Sequence, residues 1–153
     1  MPKVKIDAKA PDFTLANYQG DLITLSNFES RKNVLLVFNR GFFWPYCQKH
    51  MAQLRQTEAE FEEHNTEVLV AGPDNAEKFK TYFEEHNLSF QGLPDPKHSV
   101  LKLYGQQIKL FKLGRMPAQV LIDKSGIVRF GHYGHDMRDI PKPAEMLDLI
   151  QTL

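Results

Sequence analysis

Val34-Leu35-Leu36-Val37-Phe38, followed by Asn39-Arg40-Gly41 and then Phe42-Phe43-Trp44-Pro45-Tyr46-Cys47, is the stretch on which the fold is decided. Five successive apolar residues after the polar run Ser30 to Asn33 suit a strand buried on both faces, as in a parallel sheet, better than a strand with one wet face. Asn39-Arg40-Gly41 stops it. Pro45 then stands where a first helical residue is favoured, and Cys47, Met51, Leu54 and Phe61 recur at helical spacing against Gln48, Lys49, Gln53, Arg55, Glu60 and Glu62. The pattern predicts an amphipathic helix from Pro45 to about His64.

Downstream, strand and helix keep alternating. Glu67 to Ala71 reads as a second buried strand, and Asp74-Asn75-Ala76-Glu77 has the pattern of a capping box opening a helix with Phe79, Tyr82 and Phe83 on one face. Asp95-Pro96 is expected to start a shorter helix carrying Val100, Leu101 and Tyr104, closed by Gly105. Gln119 to Ile122 and Ile127 to Phe130 read as strands joined by Asp123-Lys124-Ser125-Gly126, a hairpin-type link. Pro143 opens a last helix with Met146, Leu147, Ile150 and Leu153. Upstream, Phe13 to Ala16 and Leu22 to Leu25 flank Tyr18-Gln19-Gly20-Asp21 as an N-terminal hairpin.

Phe61-Glu62-Glu63-His64-Asn65 recurs as Phe83-Glu84-Glu85-His86-Asn87, and each copy is followed by Pro-Asp, at Pro73-Asp74 and Pro94-Asp95. Each copy ends a helix with His near the negative dipole end and Asn able to turn left-handed, and each Pro-Asp opens the next helix. Two copies are too few for a solenoid. With no linker or low-complexity segment, residues 1 to 153 are expected to form a single domain.

Composition narrows the function classes. The chain has 153 residues, 42% of them hydrophobic, and folding should bury roughly 70% of its unfolded surface, enough for a core without staples. Lys plus Arg and Asp plus Glu number 19 each, so no global field draws it to nucleic acid or to an anionic membrane. The first eleven residues resemble neither signal peptide nor anchor, and no apolar window approaches a membrane span. A cytoplasmic location is the expectation. One cysteine excludes an internal disulfide and a thiolate zinc site. His132-Tyr133-Gly134-His135-Asp136 reads as a polar surface turn, and neither metal nor cofactor is expected.

Cys47 lies between a buried strand and a helix N-terminus, the carboxyl-end position where open α/β sheets place their sites. As third residue of its helix it would face unpaired backbone N–H groups and the positive dipole end, which lower a thiol's pKa and expose its reactive thiolate. An inert cysteine continuing the apolar stripe of Met51 and Leu54 would have the same spacing. His50 reads as a helix-surface residue, three positions from Cys47.

The order Ala10-Pro11-Asp12-Phe13-Thr14-Leu15, Gly20, Leu25-Ser26, Arg40-Gly41, Trp44-Pro45-Tyr46-Cys47 and Pro117-Ala118 before Leu121 to Gly126 resembles the alkyl hydroperoxide reductase/thiol-specific antioxidant family, the peroxiredoxin-like branch of the thioredoxin-fold proteins. That resemblance implies a three-layer α/β/α thioredoxin-like fold with a central mixed sheet and an N-terminal hairpin extension. It also implies antioxidant reduction of hydroperoxides through Cys47. Many members have two cysteines in this segment. Here Trp44 stands at the first, so an external thiol of thioredoxin, glutaredoxin or glutathione type must regenerate Cys47. Trp44 and Arg40 also occupy the family's usual Thr and Pro places, three and seven residues before the cysteine.

By the same resemblance Pro117 is a candidate cis proline facing the Cys47 loop, preceded by Met116. Arg115 and Arg40 are the candidate catalytic guanidiniums, either of which would stabilise a thiolate and orient a peroxide oxygen. Trp44, Pro45, Tyr46, Met116 and Pro117 are the expected substrate-contacting residues. A second copy of the chain is a possible partner. The rival from another class is a redox-inactive module binding a partner through Trp44, Tyr46 and Pro117, and a third reading is thiol-disulfide exchange with external disulfides.

Overall fold

The computed structural model describes residues 3–109 and 114–153. The apolar run becomes β3 (Asn33–Phe38), the central strand of five, with all six residues buried. It pairs in parallel with β4 (Thr66–Gly72), which pairs in parallel with β5 (Gln91–Pro94). On its other side it pairs antiparallel with β8 (Ala118–Ile122), and β8 with β9 (Val128–Tyr133). The sheet, in order β5-β4-β3-β8-β9, is therefore mixed.

Right-handed crossovers stepping one way from β3 to β4 to β5 must put their helices on the same face. So α1 (Pro45–Glu63) and α2 (Ala76–Glu85) share a face, where Met51, Leu54, Phe61, Phe79 and Phe83 meet Leu35 and Val37. The last helix, α4 (Pro143–Ile150), joins them through Met146, Leu147 and Ile150. The alternate residues Val34, Leu36 and Phe38 face the opposite layer, made by α3 (Ser99–Leu103), Tyr104 and the N-terminal segment through Phe13 and Leu25. A hairpin of β1 (Thr14–Ala16) and β2 (Leu22–Thr24) and a turn of 3₁₀ helix at Leu25–Phe28 complete that side. A two-residue ladder joins β6 (Ile108–Lys109) to β7 (Gly114–Arg115).

Both helix ends read from the repeated segment close as expected, with Asn65 and Asn87 left-handed at φ 51° and 53°. Three local expectations change. Asn75, not Asp74, caps α2, accepting from Lys78 N at 2.9 Å, because Asp74 turns to the loop before α1. The third helix begins at Ser99, not Asp95-Pro96, after a left-handed His98 at φ 61°. The carboxylate of Asp95 reaches forward to cap it. Leu153 lies beyond α4 and is half exposed. The sequence also carried no expectation for β5, a four-residue edge strand in which Gly92 lets Phe79 and Phe83 approach so closely that a Cβ would lie 2.9 Å from both rings.

Candidate active site

The turn between β3 and α1 builds the site. Gly41 takes φ 125°, a region other residues rarely enter, and swings the chain off the sheet. Trp44 N donates to Gly41 O at 3.3 Å, Gln48 Nε2 to Phe42 O at 2.7 Å, and Phe42 N to Asp74 Oδ2 at 2.9 Å. Phe42 stacks flat on Tyr82 with ring centres 4.3 Å apart and meets Phe79 edge-on. The loop is thus pinned by its backbone to the β4–α2 connection and by a ring to α2.

Trp44 is the N-cap of α1 and gives it no side-chain hydrogen bond. Pro45 is the first helical residue, as expected, and Cys47 the third. The amides that meet the sulfur come from the preceding turn: Arg40 N donates to Cys47 Sγ at 3.3 Å, and Gly41 N–H also hydrogen-bonds it. Arg40 is the cation whose charge favours the thiolate. Its guanidinium lies 4.0 Å from the Trp44 ring centre, and its Nε donates to Arg115 O at 2.5 Å. Both groups are buried, Cys47 at 1% and Arg40 at 4% exposure.

The expected lowering of the thiol pKa is reversed. Burial pushes the Cys47 pKa up and outweighs the two amides and the Arg40 charge; the nearby Asp74 carboxylate pushes the same way as burial. Tyr82 is close enough that the charge of Cys47 helps raise its own pKa, after burial. The resting site is therefore a neutral thiol already surrounded by the donors a thiolate would use.

The other candidates separate. Arg115 serves Arg40 through its backbone carbonyl, while its side chain acts on Asp95 and His98. Its charge is thus felt on the α3 side. Met116 is fully buried, and its carbonyl accepts from Gln106 Nε2, which also donates to Asn39 O at the end of β3. Pro117 is buried near Cys47 but in an ordinary trans peptide, as no described residue follows a cis bond. Met116 and Pro117 therefore offer no surface to a substrate or partner. Trp44 is half-buried, Pro45 and Tyr46 are exposed, and Phe43 is 84% exposed. The turn at 132–136 is tied by Asp139, which bonds His132 Nε2 and His135 N, both at 2.8 Å.

His50, expected on the helix surface, is buried, and Asp74 and Gln119 carried no expectation of a place at the site. His50 faces inward at 4% exposure, and burial lowers its pKa to about 4. Its position was legible, since Cys47, His50, Met51 and Leu54 lie on one helical face. Asp74 and Gln119 had no local signal; tertiary contacts alone bring them to the site.

Comparison with known proteins agrees with this fold. The sequence profile described as the AhpC/TSA family matches residues 6–130. Alkyl hydroperoxide reductase E of Mycobacterium tuberculosis is 31% identical over 150 residues, 95% of this chain and 91% of the relative. Peroxiredoxin Q from the chloroplast of Oryza sativa subsp. japonica is 29% identical over 99% of this chain and 69% of its own. Among solved structures, peroxidoxin BcpB from Mycobacterium tuberculosis superposes with a TM-score of 0.85 at 20% identity, covering 97% of each chain. Reduced 2-Cys peroxiredoxin from Plasmodium vivax gives 0.84 at 23% identity, covering 95% of this chain and 80% of that one. These last two bear on the fold alone, which is the thioredoxin-like one.

Proposed function

The chain belongs to the AhpC/TSA family, whose peroxiredoxins are thiol peroxidases, and from that premise we propose that it reduces hydroperoxides through Cys47 alone, with an external thiol as reductant. The observation that carries this reading is the surround of the sulfur: two backbone N–H donors and the Arg40 charge converge on the one thiol at the start of α1. Those groups stabilise negative charge where it must appear as the O–O bond is attacked. The sulfur pair of Cys47 attacks one peroxide oxygen, the O–O bond breaks, and the thiol proton ends on the departing alkoxide. The products are Cys47 sulfenic acid and an alcohol, or water from hydrogen peroxide.

A first external thiol displaces water from the sulfenic acid to give a mixed disulfide, and a second releases Cys47. No second cysteine exists to resolve it internally. Because Cys47 is only 1% exposed at rest, peroxide entry requires the packing around the sulfur to open. The test is peroxide consumption with thioredoxin, glutaredoxin and glutathione systems side by side, with dimedone trapping. The expected result is one dimedone adduct, at Cys47, and no turnover by Cys47→Ser. Equal turnover by that variant contradicts the reading.

The burial and raised pKa of the thiol favour one alternative, a redox-inactive binding module. In that case the parent gains no oxygen, and alkylation waits for unfolding. With Pro117 buried, what remains of the Trp44, Tyr46 and Pro117 surface is Tyr46 and the half-buried Trp44, flanked by Phe43 and Pro45.

A further inference from the structure

Behind Cys47, between α1 and the ends of β3 and β8, lies a narrow cavity lined by Cys47, His50, Pro117, Gln119, Ile140 and Pro141, with the part-exposed His132 and Asp139 also on its wall. The space open to the centre of a water molecule is about 10 Å³, which is room for one oxygen atom. Four buried polar atoms of its wall have no hydrogen-bond partner: both carboxamide atoms of Asn39, His50 Nε2 and Gln119 Oε1. Asn39, His50 and Gln119 are only 2%, 4% and 2% exposed. Gln119 is held in orientation because its Nε2 donates to Pro141 O at 3.0 Å. Asn39, also on the wall, has its carboxamide oxygen against Gly72, where any Cβ would collide with it.

An unmade hydrogen bond inside a protein is costly and calls for a partner. As the Nε2–H tautomer, His50 supplies one donor, and Gln119 Oε1 supplies one acceptor. A single hydroxyl satisfies both. We propose that this cavity receives the hydroxyl of Cys47 sulfenic acid, whose oxygen accepts from His50 Nε2–H and whose O–H donates to Gln119 Oε1. The proposal rests on the peroxidase reading above and adds what happens to its product. The oxygen arrives from the peroxide in the balanced step already given, Cys47–SH plus ROOH giving Cys47–SOH plus ROH. Burial lowers the His50 pKa to about 4, so the ring is neutral at ordinary pH and its tautomer follows its partners.

The consequence is protection. A sulfenic oxygen held by two hydrogen bonds in a narrow space is withdrawn from a second peroxide, which would otherwise carry the sulfur to the sulfinic acid. His50 and Gln119 act here as positioning residues.

The test uses the full chain, reduced and treated with one equivalent of hydrogen peroxide. Mass spectrometry follows the lifetime of the sulfenic acid by dimedone trapping and the sulfinic fraction after excess peroxide. The ¹⁵N resonance of the His50 ring is recorded before and after. The expected result is that addition of one oxygen moves the His50 resonance. His50→Leu and Gln119→Met each shorten the sulfenic lifetime about fivefold, the worth of one hydrogen bond, and His50→Gln restores it. If His50→Leu fails to fold, Gln119→Met and the resonance decide. Unchanged lifetimes with an unmoved His50 resonance overturn the proposal while leaving the peroxidase reading intact. A parent that never gains an oxygen overturns both.

Discussion

Three helices of this protein begin just after a sheet strand, and of these α1 and α3 begin most differently. At α3 the carboxylate of Asp95 accepts from Ser99 N, Val100 N and Leu101 N, at 2.9 to 3.1 Å, and from the Ser99 hydroxyl at 2.9 Å. At α1 no side chain caps the helix, Pro45 takes the first position, and the Arg40 and Gly41 amides of the β3–α1 turn point to a sulfur. One start is closed by a full negative charge. The other leaves its donors around a group that is neutral at rest and gains charge only in reaction. The difference is between amides used for stability and amides kept for chemistry, and each variant below breaks or sharpens it.

The largest effect is expected at the closed start. Asp95→Ala leaves several buried N–H groups without acceptors and should cost about 3 to 4 kcal/mol of unfolding free energy by denaturant titration. Alkylation of Cys47 in the folded state should be unaffected. Next is His50, neutral in the fold because burial lowers its pKa from 6.5 to about 4. Above pH 6.5 its contribution to stability is fully present, and it is lost as pH falls toward 4, because the unfolded chain takes up the proton first. The loss amounts to about 3 kcal/mol. His50→Gln should remove that component, measured as the difference between variant and parent so that the His132–Asp139 pair cancels.

At the open start, Arg40→Met removes the charge that favours the thiolate and the anchor to Arg115 O. It should slow the reaction of Cys47 with hydrogen peroxide on the order of thirtyfold. The smallest change is Asp74→Asn, which keeps an acceptor for Phe42 N and removes a negative charge that opposes the thiolate. Iodoacetamide labelling at pH 8 should then speed up about twofold. A slower rate would mean that Asp74 acts only as an anchor of the loop.

Local pattern carried much of the fold. The uninterrupted run Val34 to Phe38, the helical period of Met51, Leu54 and Phe61, and the left-handed asparagines after each histidine were legible because each records an interaction between near neighbours. The edge strand β5 was not, since its four residues include Gly92 and Pro94 and take their register from β4. At the site, Cys47 and its place in the helix could be read from Pro45 onward. The direction of its pKa could not. That direction depends on the burial of the sulfur and on Asp74, a residue on the loop after β4 that no spacing connects to Cys47. For Arg115 the limit is similar: its number along the chain gave its neighbourhood, and only the fold brought its carbonyl to Arg40.

The most direct test of the central claim is the pH dependence of the second-order rate constant between the reduced protein and hydrogen peroxide. Because burial holds the thiol above its ordinary value of 9.0, the rate should climb with the thiolate fraction through neutral pH and past pH 9, and be absent in Cys47→Ser. A rate that is independent of pH across this range, or one that survives in Cys47→Ser, would contradict the account.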